Sequence, residues 1–224
     1  MGIYLLMIVI FGASALVSAR FKSKFSKYSQ VPLSRGLTGK EVAELMLSNH
    51  GLHDVMVVSA PGQLSDHYNP STKTVNLSPE VYSGHSVAAA AVAAHECGHA
   101  IQHAEAYAFL QLRSSLVPVI SITSRFQMWV ILLGVVLLQS FPPIFWAGIA
   151  MLALSSLFSF VTLPVEFDAS RRAMAWLEGT GIVSGQTYGY SRDALKWAAL
   201  TYVVAALGSL ATLLYYLGFA NNND

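Results

Sequence analysis

Four long apolar stretches lie along the chain and predict membrane-spanning helices. They cover residues 3–19, 126–141, 144–163 and 197–219. A helix crosses a bilayer with about 17–25 mainly apolar residues, and the second stretch reaches this length only if residues 116–123 extend it. Pro142 and Pro143 separate the second stretch from the third and predict the tip of a helical hairpin. We expect the first stretch to be an uncleaved anchor, because no Lys or Arg precedes it as in a signal peptide.

The segment between the first two apolar stretches has the patterns of a small α+β domain. Thr38 and Glu41 have the spacing of a capping box and predict a helix to about Asn49. Residues 54–60 are rich in β-branched side chains and predict a strand. Residues 63–78 predict a hairpin that turns at the sequence NPST.

An alanine-rich helix follows this predicted hairpin. Ser78 and Pro79 predict a helix start, with proline at the first helical position. After a break at Ser83 and Gly84, the alanine content predicts a long helix over residues 86–114. The expected fold is therefore an α-helical membrane protein with about four transmembrane helices and a small cytoplasmic α+β minidomain.

Composition supports the membrane assignment. The 224 residues are 54% hydrophobic and 11% charged, with a mean hydropathy of +0.51. Soluble domains carry about 25% charged residues, so a soluble chain of this size would expose too much apolar surface. The net charge of +1 argues against a nucleic-acid partner, and the single cysteine excludes an internal disulfide framework.

The distribution of basic residues predicts the orientation in the membrane. All thirteen Lys and Arg residues fall within 20–125 or 164–196. Positive residues near span ends stay in the cytoplasm, so we expect both segments to be cytoplasmic and both termini to lie outside. The predicted organisation is an anchor at 1–19, a large cytoplasmic region at 20–125, a transmembrane hairpin at 126–163, a cytoplasmic helix at 164–196 and a final transmembrane helix with a polar tail at 197–224.

The sequence AAHECGHAIQHA, residues 93–104, contains the strongest signal for chemistry. On a helix, His95 and His99 lie on one face, and imidazole nitrogens are good zinc ligands. Glu96, next to the first histidine, can act as general base towards a water activated by the metal. This H-E-x-x-H pattern predicts a catalytic zinc site on a helix.

A catalytic zinc needs a third protein ligand. His103 continues the series, but its direction on the helix differs from that of His95 by about 80°. The sequence LPVEFDASRRA in the second polar segment offers Glu166, which we expect in the first turn of a helix starting at Pro164. Asp168 is the competing carboxylate, and the residues alone leave this choice open.

Two sequence blocks resemble a known family. SDHYNPSTKTVNLSPEVYSGHSVAAAAVAAHECGHAIQHA and PVEFDASRRA are similar to the YugP-type membrane zinc metallopeptidases of bacteria, and the resemblance covers nearly the whole chain. The arrangement is more distantly similar to HtpX and the CAAX prenyl proteases, which are membrane-embedded gluzincins. The resemblance implies a multi-pass protein of the bacterial plasma membrane with its active site on the cytoplasmic side.

The resemblance also implies roles for individual residues. His95, His99 and Glu166 would be ligands of one zinc ion, and Glu96 would be the general base of peptide-bond hydrolysis. In the distant relatives an aspartate commonly follows the third ligand by four residues. Here that position is Ser170, and Asp168 comes two residues after Glu166. The expected partners are a peptide or membrane-protein substrate and the lipid bilayer.

Further polar residues are candidates for supporting roles. A donor for the oxyanion could come from a set of five side chains: His67, Tyr68, Tyr82, His85 and Arg171. The strand before the active helix could align substrate, as in gluzincins, or could only cover the core. Cys97 points away from the metal face and is expected to be a packing residue.

Two functions compete with the peptidase. A membrane scaffold could retain a structural metal, and four protein ligands would favour it over a catalytic site with an open position. A transporter could use the polar helix as a pathway, but the charges cluster in the predicted loops rather than in the spans.

Overall fold

The computed structural model describes residues 2–221, and residues 222–224 of the predicted polar tail NNND lie outside that range. Ten elements follow in chain order: α1 (Gly2–Tyr28), α2 (Gly39–Asn49), β1 (Met56–Ser59), β2 (His67–Asn69), β3 (Thr74–Leu77), α3 (Pro79–Tyr82), α4 (Val87–Ala104), α5 (Ala108–Val136), α6 (Pro142–Gly179) and α7 (Gly185–Asn221).

The helices α1, α5, α6 and α7 are long and apolar enough to cross a membrane. Large apolar side chains on α1 and α5 face outward, including Ile8, Trp129 and Val136, which is 78% exposed. Such exposure is costly in water and favourable in lipid. The predicted four membrane-length helices are therefore confirmed.

The small domain between α1 and α4 follows the predicted pattern closely. The Thr38 hydroxyl accepts a hydrogen bond from the Glu41 backbone N–H, and the Glu41 carboxylate accepts one from the Thr38 backbone N–H. Gly51 then ends α2 with a positive φ of 72°, a conformation that glycine adopts without strain. The predicted capping box and helix stop are both confirmed.

A three-stranded sheet packs beside α4 in the order β1-β3-β2. β2 and β3 form the predicted antiparallel hairpin, in which Tyr68 pairs with Val75. β1 runs parallel to β3, with Val57 opposite Val75. β2 is therefore an edge strand, and it lies against α4, the helix that carries the H-E-x-x-H sequence.

The alanine-rich helix is shorter than predicted, ending at Ala104 rather than near Ser114. Ala106 takes a positive φ of 52°, the Ala106 N–H donates to the His103 carbonyl, and the Tyr107 N–H donates to the Gln102 carbonyl. This pair of bonds is a Schellman motif, which normally has glycine at the left-handed position. The sequence therefore gave no visible stop signal, and α5 begins as a separate helix at Ala108.

The prediction that a new helix starts at Pro164 is wrong. α6 runs without interruption from Pro142 to Gly179, so Glu166 lies in the interior of a 38-residue helix. Proline removes one backbone donor from a helix, and the packing of α6 against α4, α5 and α7 compensates for that loss. The last helix is also longer than the predicted span at 197–219, because α7 begins at Gly185, twelve residues earlier.

Candidate metal centre

Three potential metal ligands meet between α4 and α6. Nε2 of His95 lies 3.3 Å from Oε2 of Glu166, and Nε2 of His99 lies 3.7 Å from the same oxygen. Their ligand atoms all lie within 4.8 Å of one another. Glu166 is 3% exposed, and the two histidines are largely buried. The structure thus brings together the two motif histidines and one of the two candidate carboxylates.

A glycine allows α4 and α6 to approach closely at this point. A Cβ placed on Gly98 would lie 2.7 Å from the Ala169 backbone oxygen and 3.0 Å from the Ala169 Cα. No side chain fits in that space. Gly98 therefore sets the distance between the helix that carries both histidines and the helix that carries Glu166.

Each histidine has a polar partner on the nitrogen that faces away from Glu166. Ser170 Oγ lies 3.1 Å from Nδ1 of His95. Gln102 Oε1 lies 3.0 Å from Nδ1 of His99, while Gln102 Nε2 donates to the Val165 carbonyl and to Asp168. Because the amide oxygen accepts, Nδ1 of His99 carries the hydrogen, and its Nε2 lone pair points at the centre.

Asp168 supports the centre from outside the ligand cluster. Its carboxylate accepts hydrogen bonds from Gln102, Arg171 and Arg172. Arg172 also donates to Glu105, with a distance of 2.7 Å. Asp168 is thus linked to His99 by hydrogen bonds through Gln102, whereas Ser170 contacts His95 directly.

Glu96 lies beside the cluster and is 7% exposed. Its Oε2 accepts a hydrogen bond from the backbone N–H of Tyr68 on the edge strand, at 3.1 Å. Burial raises the pKa of the Glu96 carboxyl, although the neighbouring His95 and His99 oppose this change. Burial also opposes protonation of His99, but the contact with Glu166 outweighs it and leaves the pKa of His99 raised.

Two residues near the centre were not identified from sequence. Nη1 of Arg113 on α5 donates to Oε1 of Glu166 at 3.1 Å, so a cation partly balances this buried carboxylate. Tyr202 on α7 lines both cavities that border the cluster. In the sequence, Arg113 is one of thirteen basic residues and Tyr202 lies inside the apolar stretch 197–219. Their proximity to Glu166 depends on how the helices pack.

The remaining candidate residues have separate partners. The Tyr68 hydroxyl bonds His103 Nδ1 at 2.9 Å, and both residues line a cavity beside the cluster. The ring of His67 hydrogen-bonds the Ser65 carbonyl, and the ring of His85 hydrogen-bonds the Gly36 carbonyl. Tyr82 packs against the hydrophobic core, and Arg171 donates to Asp168. Cys97 is fully buried, which agrees with the predicted packing role.

The donor set fits a zinc ion. Zinc binds imidazole nitrogen and carboxylate oxygen at about 2.0–2.2 Å, so two ligand atoms of a tetrahedral site lie roughly 3.4 Å apart. The distances of 3.3 and 3.7 Å from the histidines to Glu166 are close to that spacing, and all three ligand atoms lie within 4.8 Å of one another. Because Ser170 and Gln102 contact the Nδ1 atoms of the two histidines, the Nε2 atoms that face Glu166 are available to bind a metal ion.

The fold and the site define a membrane protein with a buried His–His–Glu candidate metal centre. The family described as "Putative neutral zinc metallopeptidase" matches residues 3–221. A curated relative, "Putative membrane protease YugP" of Bacillus subtilis (strain 168), is 41% identical over 220 residues, which are 98% of this chain and 97% of the relative. No solved structure matches this chain significantly. The chain therefore belongs to this neutral zinc metallopeptidase family.

Proposed function

We propose that this protein is a zinc-dependent membrane metalloendopeptidase that cuts peptide bonds at the cytoplasmic face of the bacterial plasma membrane. His95, His99 and Glu166 hold one zinc ion, and Glu96 is the catalytic base. The observation that carries this proposal is the convergence of these three ligand atoms within 4.8 Å, with Glu96 buried beside them. The substrate is a peptide segment of a soluble or membrane protein.

The position of the centre is consistent with the membrane edge. α6 has 38 residues, a length of about 57 Å, whereas the hydrocarbon core of a bilayer is about 30 Å thick. Glu166 lies in the second half of α6, within the segment 164–196. This segment and the segment 20–125 together contain every Lys and Arg residue of the chain. The positive-inside rule therefore supports a multi-pass protein whose gluzincin-like minidomain and metal centre are cytoplasmic.

The side chains have distinct parts in the proposed reaction. A bound zinc ion supplies Lewis acidity, which polarises a carbonyl group and makes water easier to deprotonate. Glu96 takes a proton from the attacking water and passes it to the leaving amine. Ser170 and Gln102 fix the rings of His95 and His99, and Arg113 balances the charge of Glu166. The Tyr68 N–H orients the Glu96 carboxylate.

A scaffold with a structural metal is the competing function. Structural zinc sites normally have four protein ligands, while catalytic sites have three and an open position. Among residues 2–221, the cluster of possible ligands contains three side chains. This ligand number favours the peptidase over the scaffold.

The test compares the wild-type protein with Glu96→Gln, both purified in detergent and both analysed for zinc. We expect equal zinc content, cleavage of casein or a membrane-protein substrate by the wild type, and at least a hundredfold slower cleavage by the variant, because general acid–base catalysis contributes about 10²–10⁴-fold. Equal cleavage by the two proteins, or a wild type without bound metal, would exclude the peptidase function.

A further inference from the structure

A cavity of ≈ 170 Å³ lies directly beside the candidate metal centre, between α1, α4 and α7. Its walls away from the centre are apolar and include Phe21 and Phe25 of α1, Val92 of α4, and Leu195 and Ala198 of α7. The helices that line this space are far apart in sequence, so no local pattern could reveal it.

The end of this cavity that faces the centre is polar. His95, Glu96 and Glu166 line it there, so the cavity is continuous with the site proposed to cut the peptide bond. Another cavity, of ≈ 430 Å³, borders the same residues and has more polar side chains in its lining, including His67, His103 and Arg113. The metal centre therefore borders two cavities, of which the smaller is the more apolar.

The size of the apolar cavity suits one amino-acid side chain. A protein cavity of about 150 Å³ with apolar walls stays dry and can bind benzene. A space of ≈ 170 Å³ can accommodate a side chain such as leucine, methionine or phenylalanine. Apolar walls would also favour such a side chain by removing it from water.

The charges around the cavity disfavour an acidic side chain. Asp66, Glu96 and Glu166 contribute carboxylates to its lining, and no Lys or Arg within residues 2–221 is among its lining residues. An aspartate or glutamate would lose its hydration against the apolar walls and would find no Lys or Arg side chain in the lining as a partner. The cavity is therefore selective by both polarity and charge.

We propose that this cavity is a specificity pocket, which binds one apolar side chain of the substrate next to the bond that is cut. The preferred substrates are consequently peptide segments with a leucine, methionine or phenylalanine at that position. This inference rests on the proposed peptidase function, because it assigns a substrate side chain to a space beside the same centre.

The experiment uses full-length protein in detergent, loaded with zinc, and a set of quenched fluorescent peptides. The peptides differ only in one residue next to the cut bond, on one side of it or the other. That residue is leucine, alanine, aspartate or tryptophan. A hydrophobic pocket discriminates about 10–200-fold for each missing methylene. We expect kcat/KM for leucine to exceed that for alanine at least tenfold on one side of the bond, with aspartate lowest.

Two alanines on α7 provide a matched pair of variants. Ala198 lines the pocket, whereas Ala205 is exposed elsewhere on the same helix. Ala198→Phe should fill the pocket and reduce kcat/KM for the leucine peptide at least tenfold, with a smaller loss for the alanine peptide. Ala205→Phe should preserve the wild-type preference. If Ala198→Phe does not fold, Phe21→Ala replaces it and should shift the preference towards tryptophan, because it enlarges the pocket.

Binding of the same peptides to Glu96→Gln, measured by fluorescence anisotropy, separates this inference from the proposed function. If leucine peptides bind more tightly and Ala198→Phe removes that preference, the pocket is supported even when the wild type cuts nothing. If the wild type cuts peptides in a Glu96-dependent way but leucine, alanine and aspartate are cut and bound equally, the pocket assignment is wrong and the peptidase function stands.

Discussion

Gly98 of α4 lies against Ala169 of α6 at a distance that leaves no room for a side chain: a Cβ at residue 98 would come within 2.7 Å of the Ala169 backbone oxygen. This contact lies between His95 and His99 in sequence and three residues from Glu166 on the opposing helix. The position of the metal ligands therefore depends on one close helix crossing.

Substitution of Gly98 by alanine should separate the two helices and weaken metal binding. Overpacking costs about 1–3 kcal/mol, and a shift of a few tenths of an ångström at the crossing moves both histidines relative to Glu166. We expect a lower unfolding temperature and a lower zinc affinity for Gly98→Ala. Gly189→Ala on α7 is the control, since a Cβ there meets nothing within 4 Å. Unchanged zinc affinity in Gly98→Ala would show that the crossing does not set the site geometry.

Gln102 is predicted to be required for tight metal binding although it is not a ligand. Gln102→Met keeps the volume but removes the hydrogen bond to His99 Nδ1 and leaves Asp168 without one donor. Loss of such a supporting contact typically reduces metal affinity about 10–100-fold. Zinc titration with a competing chelator measures this change. Gln127→Met is the control, because it removes a hydrogen bond from Ser155 of α6 to Gln127 of α5 that does not involve the metal centre. This variant should bind zinc like the wild type.

Removal of the metal should lower the thermal stability of the wild-type protein. An ion at a thousandfold excess over its Kd stabilises the folded state by about 4.1 kcal/mol, which corresponds to a shift of about 10 °C for a chain of this size. Scanning fluorimetry with and without a chelator gives the shift. His99→Ala should show almost no shift, because it lacks one of the proposed ligands. A shift of equal size in both proteins would place the stabilising ion elsewhere.

The left-handed residue that ends α4 should be a site of stabilisation. Ala106 has a φ of 52°, where alanine is strained and glycine is not. Ala106→Gly is expected to raise the free energy of unfolding by about 1 kcal/mol. Ala104→Gly, inside the last turn of the same helix, should lower it by about 0.5–1 kcal/mol. Thermal unfolding of the two variants tests the opposite signs directly, and a decrease in both would contradict the account of this helix end.

The comparison of sequence and structure shows which features depend on local chemistry. The capping box of Thr38 and Glu41 formed as expected because its hydrogen bonds involve residues three apart. The hairpin of β2 and β3 and the position of His95 and His99 on one helix face also follow from local periodicity.

Other features depend on tertiary packing and could not be predicted in this way. The end of α4 at Ala106 lacks the usual glycine, and α6 continues through Pro164 because neighbouring helices hold it. The contact of Arg113 on α5 with Glu166 on α6 joins residues that are 53 positions apart in sequence. The sequence also left Glu166 and Asp168 as alternatives, since only the rotation of α6 decides which carboxylate faces the histidines.

Zinc stoichiometry of two matched variants tests the central claim most directly. Glu166→Gln removes the carboxylate that lies 3.3 Å from His95 Nε2, whereas Asp168→Asn changes a carboxylate held by Gln102 and two arginines. Elemental analysis of the purified proteins should find about one zinc per wild-type chain, nearly none in Glu166→Gln, and bound zinc with reduced affinity in Asp168→Asn. Full zinc content in Glu166→Gln, or its loss in Asp168→Asn alone, would contradict the assignment of Glu166 as the third ligand.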